Sequence, residues 1–196
     1  MVKEHTRPRR VVIGMTGASG AIYGIRLLEV LHTLPTIETH LVLSEAARQT
    51  IALETNYKVQ HIETYATITH NAENIAAPIA SGSFQTSGMV VIPCSMKTLS
   101  AIALSMADNL LARAADVTLK ERRRLIIVPR ETPLHLGHLR LMVQATEQGA
   151  IVMPPMPAFY HRPQSIDDII NQTVNRVLDL LDITLVGDLA GRWQGG

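Results

Sequence analysis

The feature that most constrains this chain is a short apolar run, residues 11–13, that leads into four glycines within residues 14–24. A β-branched run too short for a stable helix, then glycines and a new apolar segment, predicts a buried strand, a tight turn and a helix start. Glycines let a ligand approach the backbone, and the unpaired amides of a helix N-terminus attract anions. We therefore predict that this turn, with the Ser19 hydroxyl inside it, binds a mononucleotide phosphate or a flavin. The alternative is a turn that binds nothing.

The spacing of these glycines is not the G-x-G-x-x-G of dinucleotide-binding proteins. The second predicted strand, residues 40–43, ends in Ser44, and the acidic ribose ligand expected about twenty residues after the turn is missing there. The pattern therefore favours a mononucleotide over a dinucleotide.

Strands alternate with helical segments along the chain. Continuous apolar strands are predicted at residues 11–13, 40–43, 89–92, 125–128 and 150–153. This alternation predicts an α/β fold with a central parallel sheet covered on both faces. We expect residues 56–83 to be a loop-rich insertion with a short helix, and residues 183–196 to be a tail with little internal order. Because 46% of the 196 residues are hydrophobic, a single domain is expected, with residues 1–10 as an N-terminal extension.

Polar residues follow the carboxyl ends of the predicted strands. In a parallel sheet these ends meet at one edge, where ligands bind. The loops that reach this edge carry residues 16–19, Ser44, residues 95–98, Arg130 with Glu131, and Tyr160. Hydroxyls, amides, a cation, a carboxylate and an aromatic ring are thus predicted to line one site.

The composition restricts the classes of partner. Charged residues form 18% of the chain, below the roughly 25% usual for soluble domains, so we expect other copies to cover apolar surface in a homo-oligomer. The net charge of +1 offers no basic field for nucleic acid. The single cysteine, Cys94, fits a reducing compartment, and the apolar run after the basic N-terminus is too short to span a membrane. We therefore expect a cytoplasmic protein with no nucleic-acid or membrane partner.

Two pairs of charged residues are candidates for chemistry. Arg113 and Lys120 are seven residues apart, so two helical turns place them on one face, where they suit a phosphate. The alternative is a solvated face with ion pairs. Arg130 and Glu131 directly follow a buried strand, between two prolines. Glu131 is predicted to act as a base, or as an acid once a bound phosphate takes the arginine, and the alternative is a structural ion pair.

Metal and thiol chemistry have less support. His135, His138 and His161 show no i, i+4 pair with a third ligand in evident reach, so no metal site is predicted. No base is assignable to Cys94, which favours a packed, inert thiol over a nucleophile.

Several motifs occur in this chain in a specific order. They read MTGASG at 15–20, ASGS at 80–83, PCSMKTLS at 93–100, DNL at 108–110, VPRETP at 128–133, FYHRPQS at 159–165 and RW at 192–193. Together with the cations of residues 113–122, they closely resemble the motifs of the UbiX-like flavin prenyltransferases, once described as phenylacrylic acid decarboxylases. The resemblance covers nearly the whole chain beyond residues 1–10.

The resemblance implies a Rossmann-like, flavodoxin-type three-layer α/β fold and a dodecamer. It implies that the protein joins a dimethylallyl group from dimethylallyl monophosphate to reduced FMN, at N5 and then at C6. The prenylated FMN would serve a separate UbiD-type decarboxylase, and the transferase would need no metal.

The resemblance also implies roles for individual residues. FMN would contact Gly17, Ala18, Ser19, Ser44, Ser95, Met96, Lys97, Thr98 and Arg130. The prenyl phosphate would contact Arg113, Lys120, Arg130, Tyr160 and Arg176. The implied catalytic residues are Ser19 and Glu131, which would assist proton movement, Lys120 at the phosphate, and Glu54 near the site.

One departure from the family and three alternatives stay open. Some members carry a tryptophan shortly before the Ser-Gly-Ser loop, where this chain has Ile75 and Ala76, which bears on how the prenyl group packs. The nearest alternative is a flavin-dependent decarboxylase of the cysteine-decarboxylase type. Those enzymes use a histidine before the third strand and an Asn-Thr pair after it, and this sequence has neither there. A non-catalytic FMN carrier and a direct decarboxylase of phenolic acids are the others.

Overall fold

The computed structural model describes residues 8–193 and 195, so most of the predicted N-terminal extension, residues 1–10, lies outside the described residues. In this part of the chain, six strands alternate with seven α-helices and one 3-10 turn. The strands are β1 (Arg9–Met15), β2 (Ile37–Leu43), β3 (Ile68–His70), β4 (Gly88–Cys94), β5 (Arg124–Pro129) and β6 (Ile151–Val152). The helices are α1 (Ala21–His32), α2 (Glu45–Glu54), α3 (Val59–Glu63), α4 (Met96–Ala103), α5 (Leu110–Lys120), α6 (Leu136–Glu147) and α7 (Ile166–Leu180), and the 3-10 turn is Pro78–Ala80.

The strands form one parallel sheet in the order β3-β2-β1-β4-β5-β6. This is the order of doubly wound nucleotide-binding folds, and without the short edge strand β3 it is the flavodoxin order. The order reverses between β1 and β4, and ligands of such folds bind in the crevice at that point. The predicted α/β fold with a central parallel sheet is confirmed.

Helices cover both faces of the sheet because the strands are apolar on both sides. In β1, Val11 and Ile13 pack into one core with α1 and α7, whereas Val12 packs into the other with α4 and α5. All residues of β4 are buried. Burial on both faces explains why the strands read as unbroken apolar runs rather than as alternating patterns.

Side chains at the helix starts satisfy amides that have no partner inside the helix. Ser44 Oγ accepts from the amide three residues later, at 3.1 Å, ahead of α2. Asn109 Oδ1 makes the same contact at 3.0 Å ahead of α5. Ser165 and Asp168 form a capping box at the start of α7. These local signals determine where three of the helices begin.

The insertion at residues 56–83 holds more regular structure than predicted. Besides the short helix α3, it contains β3, which pairs with β2 as an edge strand. Strand β3 is three residues long, and its Ile68 is 41% exposed. An apolar pattern this short and this open to solvent does not distinguish a strand from a loop.

The C-terminal tail packs against α7. Residues 183–193 form no helix or strand, but Ile183 is only 6% exposed. Arg192 forms ion pairs with Asp179 of α7 and with Asp188. This packing differs from the little internal order predicted for this segment.

Gly24 of α1 lies against the sheet, so its replacement tests the packing of α1. A Cβ added there would lie 2.5 Å from the Ile92 carbonyl oxygen and 2.8 Å from Met15 Cε. Overpacking of this kind costs about 1–3 kcal/mol, more than the roughly 1 kcal/mol that alanine gains in a helix. We therefore expect Gly24→Ala to lower the apparent midpoint of thermal unfolding by roughly 4 °C. The matched control is Gly187→Ala, where an added Cβ meets nothing within 4 Å, and equal midpoints for the two variants would contradict this packing.

Candidate active site

The Thr16 side chain joins the ends of β1 and β4, at the point where the sheet order reverses. The Thr16 amide and Oγ1 both donate to the Pro93 carbonyl oxygen, at 3.2 Å and 2.8 Å. Thr16 Oγ1 also accepts from the Ser95 amide at 2.7 Å, and the residue is only 2% exposed. Buried hydrogen bonds therefore hold the turn after β1 against the turn after β4.

A cavity of about 510 Å³ opens beside this junction. Its volume falls in the range of roughly 300–1,000 Å³ found for small-ligand sites. It is lined by Thr16, Gly17, Ser44, Glu45, Ala46, Ala72, Glu73, Ser95, Lys97, Thr98, Asn109 and Leu111. The structure thus brings five of the predicted flavin residues together, namely Gly17, Ser44, Ser95, Lys97 and Thr98.

Three polar residues of the cavity lay outside the predicted site, namely Glu45, Glu73 and Asn109, whereas Thr16 belongs to the loop predicted at this edge without an assigned ligand role. Thr16 and Asn109 stand inside motifs that carried the family resemblance, so their position was available from the sequence. Glu73 belongs to the insertion, where no pattern pointed to a site. Its place in the cavity depends on how residues 71–77 turn after β3.

Three helices begin at the wall of the cavity, and two of them, α2 and α4, follow serine caps. Ser44 caps α2, and Ser95 Oγ accepts from the Thr98 amide at 3.4 Å at the start of α4. Helix N-termini carry partial positive charge and attract phosphate groups. Gly17 lets α2 pack closely against the turn at this wall, since an added Cβ would lie 2.5 Å from Ala46 Cβ. Hydroxyls, amides and two helix N-termini fit the phosphate and polar edge of an FMN.

The N-terminus of α1 is occupied by a carboxylate of the chain itself. Glu54 Oε2 accepts from the amide of Gly20 at 2.8 Å and from that of Ala21 at 3.4 Å. Gly20 has φ 98°, a left-handed conformation that favours glycine. In the structure the anion that these amides bind is Glu54, and the role of the turn in binding a ligand phosphate stays a prediction.

The contacts around Glu54 assemble three of the predicted site residues. Burial alone would raise the pKa of Glu54, but hydrogen bonds from Ser19 and from the amides of Gly20 and Ala21, with the nearby Arg130 charge, hold the pKa below its ordinary value. Ser19, Glu54 and Arg130 therefore lie close together at the start of α1.

Glu131 lies on the surface of the same edge. Its Oε1 accepts from the Thr132 amide at 3.0 Å. No ion pair joins Glu131 to Arg130 within residues 8–193, so the structural ion pair considered as an alternative is not formed there. Four predicted flavin residues are not among those lining the cavity, namely Ala18, Ser19, Met96 and Arg130. Ala18 is 7% exposed in the turn, and Met96, the first residue of α4, packs partly against the core.

The two cations predicted on α5 share one face of that helix. Arg113 Nε donates to the Ala80 carbonyl oxygen at 3.2 Å, and Nη1 pairs with Asp116 at 2.8 Å. Lys120 pairs with Glu121. Lys120 also faces the same loop as Arg113, because a Cβ added at Gly82 would lie 2.8 Å from Lys120 Nζ. The spacing of seven residues therefore does place both cations together.

These cations do not reach the cavity of their own chain. The cavity touches α5 at Leu111, and Lys120 follows nine residues later at the opposite end of the helix. At a rise of 1.5 Å per residue, the two positions are roughly 14 Å apart along the helix axis, farther than a lysine side chain extends. Arg113 lies roughly 200° around the helix from Leu111 and points to the loop at residues 80–82.

Tyr160 and Arg176 meet in a second cleft, of about 240 Å³, between α7 and the C-terminal tail. Arg176 Nη1 donates to Asp179 Oδ2 at 2.8 Å. The Tyr160 ring packs edge-on against Trp193, with ring centroids 5.9 Å apart. The five predicted phosphate ligands thus lie in three places within the chain, namely Arg130 near Glu54, Arg113 with Lys120, and Tyr160 with Arg176.

Other candidate chemistry finds little support in the described residues. No group of three or more His, Cys, Asp and Glu side chains in them is placed to hold a metal ion. No described helix has both the length and the apolar character that crossing a membrane requires. Cys94 is fully buried, and burial raises the pKa of its thiol, which keeps it protonated. Ile75, at the position of the family's tryptophan, is 61% exposed.

The Glu54 contacts predict a pH-dependent contribution to stability. A carboxyl with a lowered folded-state pKa stabilises the fold above its ordinary pKa of 4.5, and this stabilisation is lost as the pH falls through the folded value. Glu54→Gln should therefore lower the thermal midpoint most between about pH 6 and 8, and the difference from wild type should shrink as the pH falls below 4.5. Exposed Glu147→Gln, at the end of α6, is the control. A difference that does not vary with pH would show that the Glu54 charge has no such role.

Comparisons with known proteins agree with this geometry. The Flavoprotein family profile matches residues 1–178. The flavin prenyltransferase UbiX of Escherichia coli (strain K12) is 65% identical over 187 residues, which cover 95% of this chain and 99% of that protein. A dodecameric FMN-dependent UbiX-like decarboxylase from Escherichia coli O157:H7 superposes with a TM-score of 0.92, at 49% identity, over 95% of this chain and all (100%) of that one. AnUbiX in complex with FMN and dimethylallyl pyrophosphate superposes with a TM-score of 0.92, at 50% identity, over 97% of this chain and 100% of that chain. The chain therefore belongs to the UbiX family of flavin prenyltransferases.

Proposed function

We propose that this chain joins the dimethylallyl group of dimethylallyl monophosphate to reduced FMN, at N5 and C6, and releases phosphate. The observation that carries the proposal is the cavity at the reversal of the sheet order, where two helix N-termini and a close glycine meet. Membership of the UbiX family supplies the reaction class. The flavin supplies the two nucleophilic positions, and the chain supplies binding, charge and proton handling.

The flavin side of the site is assigned to residues at and around the cavity. Ser44 and Ser95 present the N-termini of α2 and α4, which favour the FMN phosphate. Gly17 lies in the cavity wall, with Ala18 and Ser19 in the same turn. The full set proposed for FMN is Gly17, Ala18, Ser19, Ser44, Ser95, Met96, Lys97, Thr98 and Arg130.

The donor side is assigned to cations and one hydroxyl. When the allylic C–O bond breaks, its electron pair stays on the phosphate, and negative charge grows there. Cations that face this charge stabilise the transition state more than the bound donor, which raises the rate. The proposed ligands of the donor phosphate are Arg113, Lys120, Arg130, Tyr160 and Arg176.

Proton transfer is assigned to Ser19 and Glu131. Bond formation at N5 releases the N5 proton, which the departing phosphate accepts. Closure at C6 needs a proton donated to the prenyl double bond and releases the C6 proton, so one acid and one base can pass this proton on without a net change. Ser19 lies beside Glu54, whose lowered pKa keeps it ionised and able to accept from the Ser19 hydroxyl. Glu131 is exposed at the same edge and serves as the second proton carrier.

The complete site is proposed to form between copies of the chain in a homododecamer. Leu111 lies at the wall of the cavity of its own chain, and Lys120 is roughly 14 Å farther along α5. Because Lys120 is too far away to reach that cavity, it serves the cavity of a neighbouring copy. Helix α6 exposes Leu136, Leu139 and Val143, at 59%, 46% and 57%, which gives an apolar face for such contacts. A UbiX-like relative is dodecameric.

The product is proposed to serve a separate UbiD-type decarboxylase in the cytoplasm. Reduced FMN as an acceptor and a single unpaired cysteine, Cys94, fit a reducing compartment. With a net charge of +1, nucleic acid is not a proposed partner.

The direct test is anaerobic incubation of the protein with reduced FMN and dimethylallyl monophosphate, followed by mass spectrometry of the flavin. Wild type should add one five-carbon prenyl unit to FMN. Lys120→Ala should slow this transfer at least about 100-fold, since a charge that acts on the transition state is lost, while FMN binding is retained.

Exposed Lys58→Ala is the matched control, because Lys58 lies outside the cavity and outside the proposed donor set. FMN recovered unmodified from wild type would overturn the proposed reaction. Prenyl transfer by Lys120→Ala at the wild-type rate would show that Lys120 takes no part in the reaction.

A further inference from the structure

The C-terminal tail brings a second arginine to the cleft that holds Arg176. Arg192 Nη1 donates to Asp179 Oδ2 at 2.9 Å, and its Nη2 donates to Asp179 Oδ1 at 2.8 Å. Arg192 Nε pairs with Asp188 at 2.7 Å. The Arg192 guanidinium thus forms a bidentate contact with both oxygens of the Asp179 carboxylate, which is the strong form of an arginine–carboxylate interaction.

Asp179 is therefore shared unequally between two arginines. Arg176 makes one hydrogen bond, to Oδ2, whereas Arg192 binds both oxygens. The hydrogen bond from Arg192 is the largest of the effects that hold the pKa of Asp179 below its ordinary value. Arg176 keeps most of its donors unused, and its side chain is 52% exposed at the cleft. The arginine with the freer guanidinium is thus the one proposed to meet the donor phosphate.

We infer that Arg192 is a positioning residue for Arg176, because it occupies Asp179 and so leaves the Arg176 guanidinium available to the phosphate of the prenyl donor. This inference rests on the proposed function, in which Arg176 contacts that phosphate. Arg192 itself need not touch the donor.

The competition follows from position on α7. Asp179 lies three residues after Arg176, so the two side chains share a helix face and can pair without any other element. Without Arg192, both oxygens of Asp179 are open to Arg176, and the carboxylate neutralises the charge that a phosphate would meet. With Arg192 present, the three groups carry a net charge of +1, and without it their net charge is zero.

A second contact holds the tail in this place. The Asn175 side chain, only 6% exposed, accepts from the Leu189 amide at 3.3 Å. Arg192 is followed by Trp193, which packs on Tyr160. The competing explanation is that Arg192 only docks the tail. The experiment has to separate this role from the proposed one, in which Arg192 occupies Asp179 and leaves Arg176 available.

The test compares Arg192→Gln with Asp179→Asn/Arg192→Gln in steady-state prenyl transfer. Arg192→Gln should raise the KM for dimethylallyl monophosphate about tenfold and also lower kcat, because the Arg176 charge is less available to the phosphate both in the bound donor and in the transition state. The double variant lacks the competing carboxylate, so its KM should return to within about twofold of wild type. Asp179→Asn alone should leave the KM no higher than that of wild type. Titration of the FMN-loaded proteins with inorganic phosphate should give the same order of affinities without turnover.

If Arg192 only docks the tail, the double variant has lost both ends of the ion pair. Its KM should then stay as high as that of Arg192→Gln. That result, or an unchanged KM for Arg192→Gln, overturns the inference. Arg140→Gln, an exposed arginine on α6, controls for the loss of a surface charge. If wild type itself transfers no prenyl group, the proposed function fails instead, and the phosphate titration still decides whether Arg192 controls anion binding.

Discussion

The hydrogen bonds of Thr16 to the β4 end are the contact on which the rest of the site depends. β1 and β4 are adjacent in the sheet, but the turns that follow them belong to different parts of the chain. Thr16 joins them through the Pro93 carbonyl and the Ser95 amide in a buried position. The N-terminus of α4 is thereby fixed beside the glycine turn, and the cavity lies between them. An alanine at residue 16 would keep the strand but lose two of these contacts.

The candidate donor cations of α5 and α7 form ion pairs with carboxylates, and a bound phosphate can replace the carboxylate as the partner of the cation. Each candidate donor ligand on α5 and α7 has a carboxylate partner on its own helix or at its end, as Arg113 has Asp116 and Arg176 has Asp179. Pairs this exposed contribute little to stability, so the cations remain available to a stronger anion. Glu54 is the contrasting case, because its partners are backbone amides that have no alternative acceptor within the helix.

The sequence could predict what depends on local pattern. The parallel sheet, the turn after β1, and the caps at Ser44, Asn109 and Ser165 follow from apolar runs and from residues within three positions of each amide. The sequence could not reveal that Glu54 binds the amides at the start of α1, because the two segments are separated by α1, β2 and α2. Nor could spacing alone reveal that Lys120 points away from its own cavity. A spacing of seven residues places Lys120 on a helix face but does not say how far along the helix the cavity lies.

The central claim is that one active site is built from two copies of the chain, and mixed oligomers test it most directly. Lys120→Ala removes the donor cation, and Thr98→Glu places a carboxylate in the cavity, where it repels the FMN phosphate but suits the first turn of α4. Each variant alone should be inactive. Oligomers that contain both variants, purified through two different tags, should regain about a quarter of wild-type transfer. In a random mixture, about a quarter of the sites combine an unmutated cavity from one copy with an unmutated Lys120 from its neighbour. Mixed oligomers that stay inactive would contradict the account and indicate that Lys120 acts in the active site of its own copy.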